Sequence, residues 1–227
     1  MKTNKLWMLL FAAASCTSVF AQEGAKAEPT KEEIAWMAYM TPGPMHEMLA
    51  KSSGMWSEEY TFWMAPDAPP MKSTGTCMNK MIMGGRYLQG MTRGNFNGMP
   101  FEGISTTGYD NAKNVFVSTW IDNMGSGIMH SEGKWDEKTA TVEMNGTQTD
   151  PSTGQDMKVR QVLKFIDDDN HMMDMFMTGA DGKEFQSMNI KMTRKKDMRE
   201  DMPGKPVPAP VKSGEKKPAE KKPAEKK

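Results

Sequence analysis

The amino-acid sequence predicts a mainly β domain, an antiparallel up-and-down barrel of about ten strands that two short helices precede. From Gly54 to Arg194 the side-chain pattern has a period of two, the spacing of strands with one buried face. Turn-forming residues interrupt this pattern, and the connections are too short for crossover helices. Ten strands joined in this way form a meander, and closing a meander into a barrel removes its edge strands.

The two helices are expected just before the first strand. Thr30-Lys31-Glu32-Glu33 has the residues of a capping box and predicts a helix that runs to Met40. Pro42-Gly43-Pro44 ends this helix, because proline cannot continue it. A second short helix is predicted from Met45 to Lys51.

The ten strands are separated by sequences that favour turns, such as Asn97-Gly98 and Asp181-Gly182. They are predicted at Met55 to Met64, Ser73 to Met83, Arg86 to Arg93, Met99 to Tyr109, Asn114 to Asp122, Gly127 to Trp135, Thr139 to Thr149, Gln155 to Ile166, His171 to Thr178 and Lys183 to Arg194. The chain is thus divided into a signal peptide (1–21), a linker with two short helices (22–52), a barrel domain (53–196) and a tail (197–227).

The first segment has the features of a secretory signal peptide. Lys2 and Lys5 precede a short apolar run, and Val19-Phe20-Ala21 offers a cleavage site near Ala21. This predicts a periplasmic or secreted bacterial protein. The apolar run is too short to span a bilayer, and no later run reaches the ~20 apolar residues required, so we expect no transmembrane segment.

A second interpretation of this segment stays open. Ala13-Ala14-Ser15-Cys16 loosely resembles a lipobox, in which Cys16 is acylated and anchors the mature protein to a membrane. After cleavage at Ala21, by contrast, Cys77 is the only cysteine that remains, and no intrachain disulfide is possible. We expect Cys77 to be a small buried side chain.

The net charge of zero combines an acidic domain with a basic tail. Residues 203–227 contain eight Lys, three Glu and six Pro without an aromatic residue, which predicts a disordered segment of charge +5. Residues 22–202 contain 19 Lys and Arg against 26 Asp and Glu, a charge of −7. An acidic domain disfavours nucleic acid as the partner.

Trp56 and Arg194 stand at the two ends of the strand-rich region. In a closed meander the first and last strands are neighbours, so the guanidinium can stack on the indole. The pair resembles the G-x-W sequence and terminal arginine of lipocalin-like families, in which both residues are structural. We predict the same structural role for Trp56 and Arg194.

Several short sequences occur in an order that is typical of one bacterial family. They are Gly43-Pro44-Met45-His46, Gly54-Met55-Trp56, Gly84-Gly85-Arg86-Tyr87, Pro100-Phe101-Glu102-Gly103, Gly108-Tyr109-Asp110-Asn111, Ser118-Thr119-Trp120-Ile121-Asp122 and Met192-Thr193-Arg194. In these residues the chain resembles domain of unknown function family 1579, over about residues 42–195. The resemblance implies an exported lipocalin-like domain and implies no activity.

Methionine is unusually frequent, with 26 Met against 21 Leu, Ile and Val together. The simplest interpretation is that Met fills the core in place of aliphatic residues. Two alternatives are sacrificial oxidation and Cu(I) binding, because thioethers are soft ligands and alternate residues of a strand share a face. The residues with that spacing are Met81 and Met83, and Met173, Met175 and Met177 beside His171.

The sequence gives little support for catalysis. It contains three His residues and no H-x-H, H-E-x-x-H, C-x-x-C or G-x-S-x-G sequence, so zinc and serine-hydrolase templates do not fit. We therefore predict a protein that is not an enzyme, with no catalytic residue, no cofactor and no assigned metal ligand.

The leading functional hypothesis is a binding module with a mainly apolar cavity for a small hydrophobic or amphipathic ligand. Trp120, Asp122 and His130 are predicted to converge as the polar part of the cavity at one barrel mouth. Weaker candidates for the cavity wall are Tyr109, Phe116 and Met129. The alternative is a structural or interaction protein of the cell envelope with a solid barrel.

Overall fold

The computed structural model describes residues 28–179 and 182–196. The predicted signal peptide with Cys16 and the predicted tail from residue 197 lie outside these residues. The helices and strands, numbered in chain order, are α1 (Lys31–Met40), α2 (Pro44–Lys51), β1 (Gly54–Phe62), β2 (Met71–Ile82), β3 (Tyr87–Phe96), β4 (Met99–Asp110), β5 (Val115–Asp122), β6 (Met129–Asp136), β7 (Thr141–Thr149), β8 (Asp156–Phe165), β9 (Asn170–Thr178) and β10 (Glu184–Arg194).

Both predicted helices are present, as two pieces of one bent segment. The capping box is formed: the Glu33 N–H donates to the Thr30 hydroxyl at 3.2 Å, and the Thr30 N–H donates to the Glu33 carboxylate at 2.7 Å. Pro42-Gly43-Pro44 separates the two helices as expected, and Pro44 also begins α2, since a first-turn residue needs no N–H donor. Within the described ranges, no helix combines the length and apolar character that crossing a bilayer requires.

The ten strands form a closed antiparallel barrel, which confirms the predicted fold class. Each strand pairs with its neighbours in sequence, and β1 closes the barrel by pairing with β10. In this closing pair Trp56 lies opposite Arg194 and Phe62 lies opposite Met188. A bulge between Gln186 and Met188 shifts the register of β10 against β9.

Strand boundaries lie within three residues of the predicted ones, and one of the differences affects a predicted methionine pair. Strand β2 ends at Ile82, and Met83 lies in the following turn with a φ of 49° and an exposed side chain. Met81 instead packs into the core. The two residues therefore share no strand face, and the same-face spacing noted for Met81 and Met83 under the Cu(I) alternative is not realised.

Helix α2 closes one end of the barrel. Leu49 is buried and packs with Phe116, Val142 and Met144, which point inward from β5 and β7. Each buried side chain of this size stabilises the fold by about 1.5–3 kcal/mol. The opposite end is formed by the β1–β2, β3–β4, β5–β6, β7–β8 and β9–β10 connections, and no described helix crosses it. We call it the open end.

Helix α1 lies outside the barrel with all ten of its residues exposed. Its C-terminal carbonyl groups are held by two barrel turns. The Asn111 amide donates to the carbonyls of Ala38 at 3.0 Å and Thr41 at 2.8 Å, and the Arg86 guanidinium donates to that of Met40. The Gly-Gly-Arg-Tyr and Tyr-Asp-Asn sequences noted above therefore anchor this helix.

Candidate functional site

The barrel encloses a cavity of about 500 Å³ between the α2 end and the open end. Inward-facing residues line it, because alternate residues of each strand point to the inside of a closed barrel. More than half of the lining side chains are aromatic, aliphatic or methionine, and most of the others are neutral and polar. Small-molecule sites have volumes of roughly 300–1,000 Å³, so the cavity is the candidate functional site.

Trp56 packs at the closed end of the interior and is almost completely buried, with 1% exposure. Its indole N–H donates to the Ser52 carbonyl at 2.9 Å. The Arg194 guanidinium lies 4.4 Å from the indole ring, and the His171 ring centre lies 4.4 Å from it as well. The contact between Trp56 and Arg194 that the sequence predicts is present.

Arg194 also connects three other parts of the chain. Its two terminal nitrogens donate to the carbonyls of Lys51 and Ser53, each at 2.6 Å, where α2 leads into β1. Its Nε donates to the Asp169 carboxylate at 2.9 Å, in the turn between β8 and β9. One side chain thus joins the last strand to the first strand, to α2 and to a turn.

His171 lines the cavity next to Trp56 and is buried. Its ring also packs edge-on against Phe165, with the ring centres 4.7 Å apart. Burial and the nearby Arg194 charge lower the pKa of His171 to about 4. At neutral pH it is therefore an uncharged, largely apolar part of the cavity wall.

A buried carboxyl group lies midway along β1 on the cavity wall. Glu58 is 5% exposed and lines the cavity. The Tyr60 hydroxyl donates to its Oε2, and the Thr92 hydroxyl is a second hydrogen-bonding partner. Burial raises the pKa of Glu58 to about 7, although both hydrogen bonds act in the opposite direction. The charge of the cavity therefore changes near neutral pH.

Cys77 lies on the neighbouring strand β2 and also lines the cavity. Its thiol donates to Asn79 Oδ1 at 3.2 Å. Burial, followed by the Glu58 charge, raises the pKa of Cys77 to about 12. A thiol with such a pKa is not a nucleophile at neutral pH, which fits the expectation of a small buried side chain.

Near the open end, Trp120 and Asp122 form a pair on β5. The Trp120 indole N–H donates to Asp122 Oδ2 at 2.7 Å, and the Met124 N–H donates to Oδ1 at 2.9 Å. A Cβ atom on Gly103 would lie 2.3 Å from the Trp120 ring, so the indole can lie against β4 only because this residue is glycine.

Aromatic rings surround the interior at this open end. Phe101 stacks near Trp120 with ring centres 6.3 Å apart, and Phe62 meets Phe96 edge-on at 5.0 Å. All four line the cavity. Apolar side chains in the adjoining connections and at the start of β4 are exposed: Met64, Met99, Met124 and Ile128. This end of the cavity is therefore surrounded by apolar surface.

Methionine forms much of one cavity wall. Met173 and Met175 of β9 line the cavity beside Met188 and Met192 of β10, while Met177 is not a lining residue. Met188 lies directly opposite Met175 in the register of the two strands. In the described ranges, no group of three or more His, Cys, Asp or Glu side chains is placed to hold a metal ion.

The structure brings together some of the predicted site residues. Trp120 and Asp122 line the cavity, and so do the wall candidates Phe116 and Met129. Tyr109 lies at the α2 end, where its ring packs 5.0 Å from Phe116 and 6.0 Å from the ring of buried His46.

His130 does not join Trp120 and Asp122. In the pairing of β5 with β6, Met129 lies opposite the inward-facing Trp120, and His130 lies opposite Thr119. Consecutive residues of a strand point to opposite faces, so Met129 and His130 cannot both face the cavity. His130 is exposed on the outside of the barrel.

Sequence reasoning did not identify Glu58 as a site residue, although a signal was available. Trp56 was predicted to be a structural residue of the first strand, and Glu58 lies two residues later in the same strand, which places both side chains on one face. A carboxyl group inside a barrel is unusual enough to mark a site.

Comparisons with known proteins identify a family and a similar fold. The family model described as Protein of unknown function (DUF1579) matches residues 41–194. The crystal structure of Rv2717c from M. tuberculosis is similar with a TM-score of 0.53 and 12% identity, over 68% of this chain and 99% of that chain, which concerns the fold alone. A redesigned beta barrel has a TM-score of 0.34 and 15% identity, over 65% of this chain and 94% of that one. No curated protein matches the chain.

Proposed function

The chain belongs to the DUF1579 family of proteins of unknown function, and we propose that its barrel holds a small hydrophobic or amphipathic ligand. The observation that carries this proposal is the cavity of about 500 Å³ inside the barrel, with its mainly apolar wall. An unfilled apolar space forgoes packing contacts and destabilises a protein core. A ligand that fills it restores those contacts.

The alternative of a structural protein with a solid barrel has less support. Such a protein would fill its interior with side chains, as small barrels commonly do. Helix α2 and its partners do fill the closed end, with Leu49 and Phe116 at their centre. The cavity above them favours the binding function.

Cu(I) binding remains a second candidate because of the methionine wall. Met173, Met175, Met188 and Met192 lie on two adjacent strands and line the same cavity, and thioethers are suitable ligands for Cu(I). Titration of the reduced protein with Cu(I) tests this candidate. Stoichiometric binding that is lost in a Met173→Leu, Met175→Leu variant would support it, and no binding would exclude it.

We also propose that the protein is exported and that the ligand is met in the periplasm or outside the cell. The support is the sequence of residues 1–21, with its two lysines, apolar run and Val19-Phe20-Ala21 site. Mass spectrometry of the protein from its native host identifies the N-terminal residue of the processed chain and any lipid attached to it. A mature chain that begins at Gln22 is expected, an acylated Cys16 would show the lipid anchor instead, and an unprocessed Met1 would contradict export.

A dye titration with a matched pair of variants tests the binding function. Ser118 of β5 lines the cavity, and Thr119 beside it points outward. The neutral apolar dye N-phenyl-1-naphthylamine should bind wild-type protein with enhanced fluorescence. Ser118→Phe places a large ring in the cavity and should weaken binding at least tenfold, whereas Thr119→Phe should change it less than twofold.

Equal affinities of the two variants would show that the dye binds outside the cavity. Absence of binding to folded wild-type protein would contradict the proposed function. Circular dichroism of both variants controls for folding, because an overpacked interior can destabilise the barrel by about 1–3 kcal/mol.

A further inference from the structure

The chemistry of the cavity wall is dominated by one ionisable group. Glu58 reaches the cavity from the middle of β1, between the α2 end and the aromatic open end. The residues around it are neutral: Cys77 on β2 and Ile190 and Met192 on β10, the two strands that pair with β1, and Thr92 on β3, the strand beyond β2. A buried carboxyl group in such surroundings lacks the solvation that stabilises its charge.

Glu58 has hydroxyl partners and no cationic partner within residues 28–179 and 182–196. The hydrogen bonds that favour its ionised form come from Tyr60 and Thr92, and no Lys, Arg or His contributes to its pKa. A carboxylate accepts about four hydrogen bonds, so acceptor capacity remains on the cavity side. Buried carboxylates are normally paired with a positive charge, and a ligand can supply the one that is missing.

The other charged or titratable groups of the cavity cannot take this role. Asp122 lies at the open end and is only half-buried, so water can solvate its charge. His171 is uncharged at neutral pH, since burial lowers its pKa to about 4. Burial raises the pKa of Tyr60 and that of Cys77, so both stay protonated. Glu58 alone among these groups combines a central, buried position with a carboxyl group that can ionise near neutral pH.

We propose that Glu58 is the recognition group of the cavity and that it selects ligands with a protonated amine on an otherwise apolar body. This inference rests on the proposed ligand-binding function and specifies the class of ligand. The apolar body occupies the space between the methionine wall and the aromatic rings. The ammonium group donates to the Glu58 carboxylate, and the resulting pair replaces a lone buried charge with a compensated one.

The same geometry disfavours two related ligand classes. A fatty acid would bring a second carboxylate beside Glu58, and two like charges in a poorly solvated site repel each other strongly. An alcohol of the same chain length can donate one uncharged hydrogen bond and gains no charge pairing. The predicted order of affinity at pH 8 is therefore amine, then alcohol, then fatty acid.

Isothermal titration calorimetry with three probes of equal chain length tests this order. The probes are dodecylamine, dodecanol and dodecanoate, each below its solubility limit or micelle-forming concentration, with the full chain. Wild-type protein should bind dodecylamine at least tenfold more tightly than dodecanol at pH 8. Glu58→Gln should weaken dodecylamine at least tenfold, leave dodecanol within threefold, and improve dodecanoate.

Glu59→Gln is the matched control, because it makes the same chemical change at the exposed neighbouring position outside the barrel. It should leave all three affinities unchanged. Affinities measured at several pH values distinguish charge pairing with Glu58 from a purely steric role of its side chain. The affinity of wild-type protein for dodecylamine should rise between pH 6 and 8 as Glu58 ionises, while dodecanol affinity should not rise.

The outcomes separate this inference from the function on which it rests. If dodecanol binds and dodecylamine binds no more tightly, the cavity takes apolar ligands and the role of Glu58 is refuted. If none of the three probes binds wild-type protein, both proposals fail. The comparison of probes on wild-type protein holds even if the Glu58→Gln variant does not fold.

Discussion

At the scale of single residues, Glu58 and His171 are two buried ionisable groups whose effects on stability oppose each other. Glu58 keeps its proton in the folded chain up to about pH 7, whereas an unfolded glutamate loses it near pH 4.5. His171 is uncharged in the folded chain down to about pH 4, whereas an unfolded histidine takes up a proton near pH 6.5. The first group destabilises the fold as pH rises, and the second destabilises it as pH falls.

The first prediction concerns Glu58→Gln. Between about pH 4.5 and 7 the folded wild-type chain binds one more proton at this site than the unfolded chain, so its unfolding free energy falls as pH rises. Glutamine does not titrate. The variant should therefore gain stability over wild type across this window, by up to about 3 kcal/mol at pH 8. Urea unfolding at pH 5, 6, 7 and 8 measures the difference.

Glu59→Gln is again the control, and its difference in unfolding free energy from wild type should not change with pH. His171→Gln should change the pH dependence of the unfolding free energy in the opposite sense. It removes a group whose protonation favours the unfolded chain between about pH 4 and 6.5. A constant difference between Glu58→Gln and wild type from pH 5 to 8 would show that Glu58 is ionised in the folded protein at all these pH values.

Strand periodicity predicts which site residues of one strand share a face, but not which face that is. Trp120 and Asp122 were expected on one face because they are two residues apart, and the structure pairs them. His130 was placed on the wrong face because side-chain direction in a new strand depends on its register with the preceding one. A shift of one residue exchanges the two faces, and the sequence of the β5–β6 connection does not specify that register.

At the scale of secondary-structure elements, the barrel depends on how its ends are joined. Arg194 contacts the indole of Trp56, two carbonyls at the C-terminal end of α2 and the carboxylate of Asp169. Most neighbouring strands are also consecutive in the chain and are connected by a turn. Strands β1 and β10 pair with each other but have no such connection. A side chain that contacts both strands and α2 is therefore expected to matter more than an ordinary surface arginine.

Arg194→Met tests this expectation. The variant loses the cation–π contact and several hydrogen bonds and leaves carbonyl groups without a partner, so the unfolding free energy should fall by about 2–3 kcal/mol. Arg160→Met is the matched control. Arg160 also stacks on a ring, that of Phe176 at 4.0 Å, and pairs with Glu184, but it lies on the outer face between neighbouring strands.

The control variant should lose less than about 1 kcal/mol, as surface ion pairs generally do. Equal losses in the two variants, measured by urea unfolding at one pH, would contradict a special role for Arg194 in closing the barrel.

Most elements could be predicted because their signals are local. The capping box at Thr30 and the Asn97-Gly98 turn set chain direction through nearby hydrogen bonds and left-handed backbone angles. Met83 was wrongly assigned to β2 because a run of apolar residues continues past the end of that strand. The structure ends the strand there with Met83, Gly84 and Gly85 at positive φ.

At the scale of the whole molecule, the sequence predicted a closed barrel but not whether its interior was filled. Pattern and turn spacing determine the number of strands, and the pairing of the first with the last follows from closure. The interior volume depends on strand tilt and on the sum of many side-chain volumes, which periodicity does not report. The cavity of about 500 Å³ is therefore information that the structure adds.

This whole-molecule view also gives the methionines a defined place. Several of them form one wall of the cavity and lie on the adjacent strands β9 and β10. Methionine is flexible and polarisable, so such a wall can adjust to ligands of different shape. We expect a binding protein that accepts a class of apolar ligands through this wall and distinguishes their polar groups through Glu58.

The central claim is that the barrel is a container for a small, mainly apolar molecule, and native mass spectrometry tests it most directly. The full chain, purified and then incubated with a total lipid extract of the source cells, should show a bound species of defined small mass in a one-to-one complex. The Ser118→Phe variant should lose that species, and Thr119→Phe should keep it. A wild-type spectrum with no bound molecule before or after incubation would contradict the account.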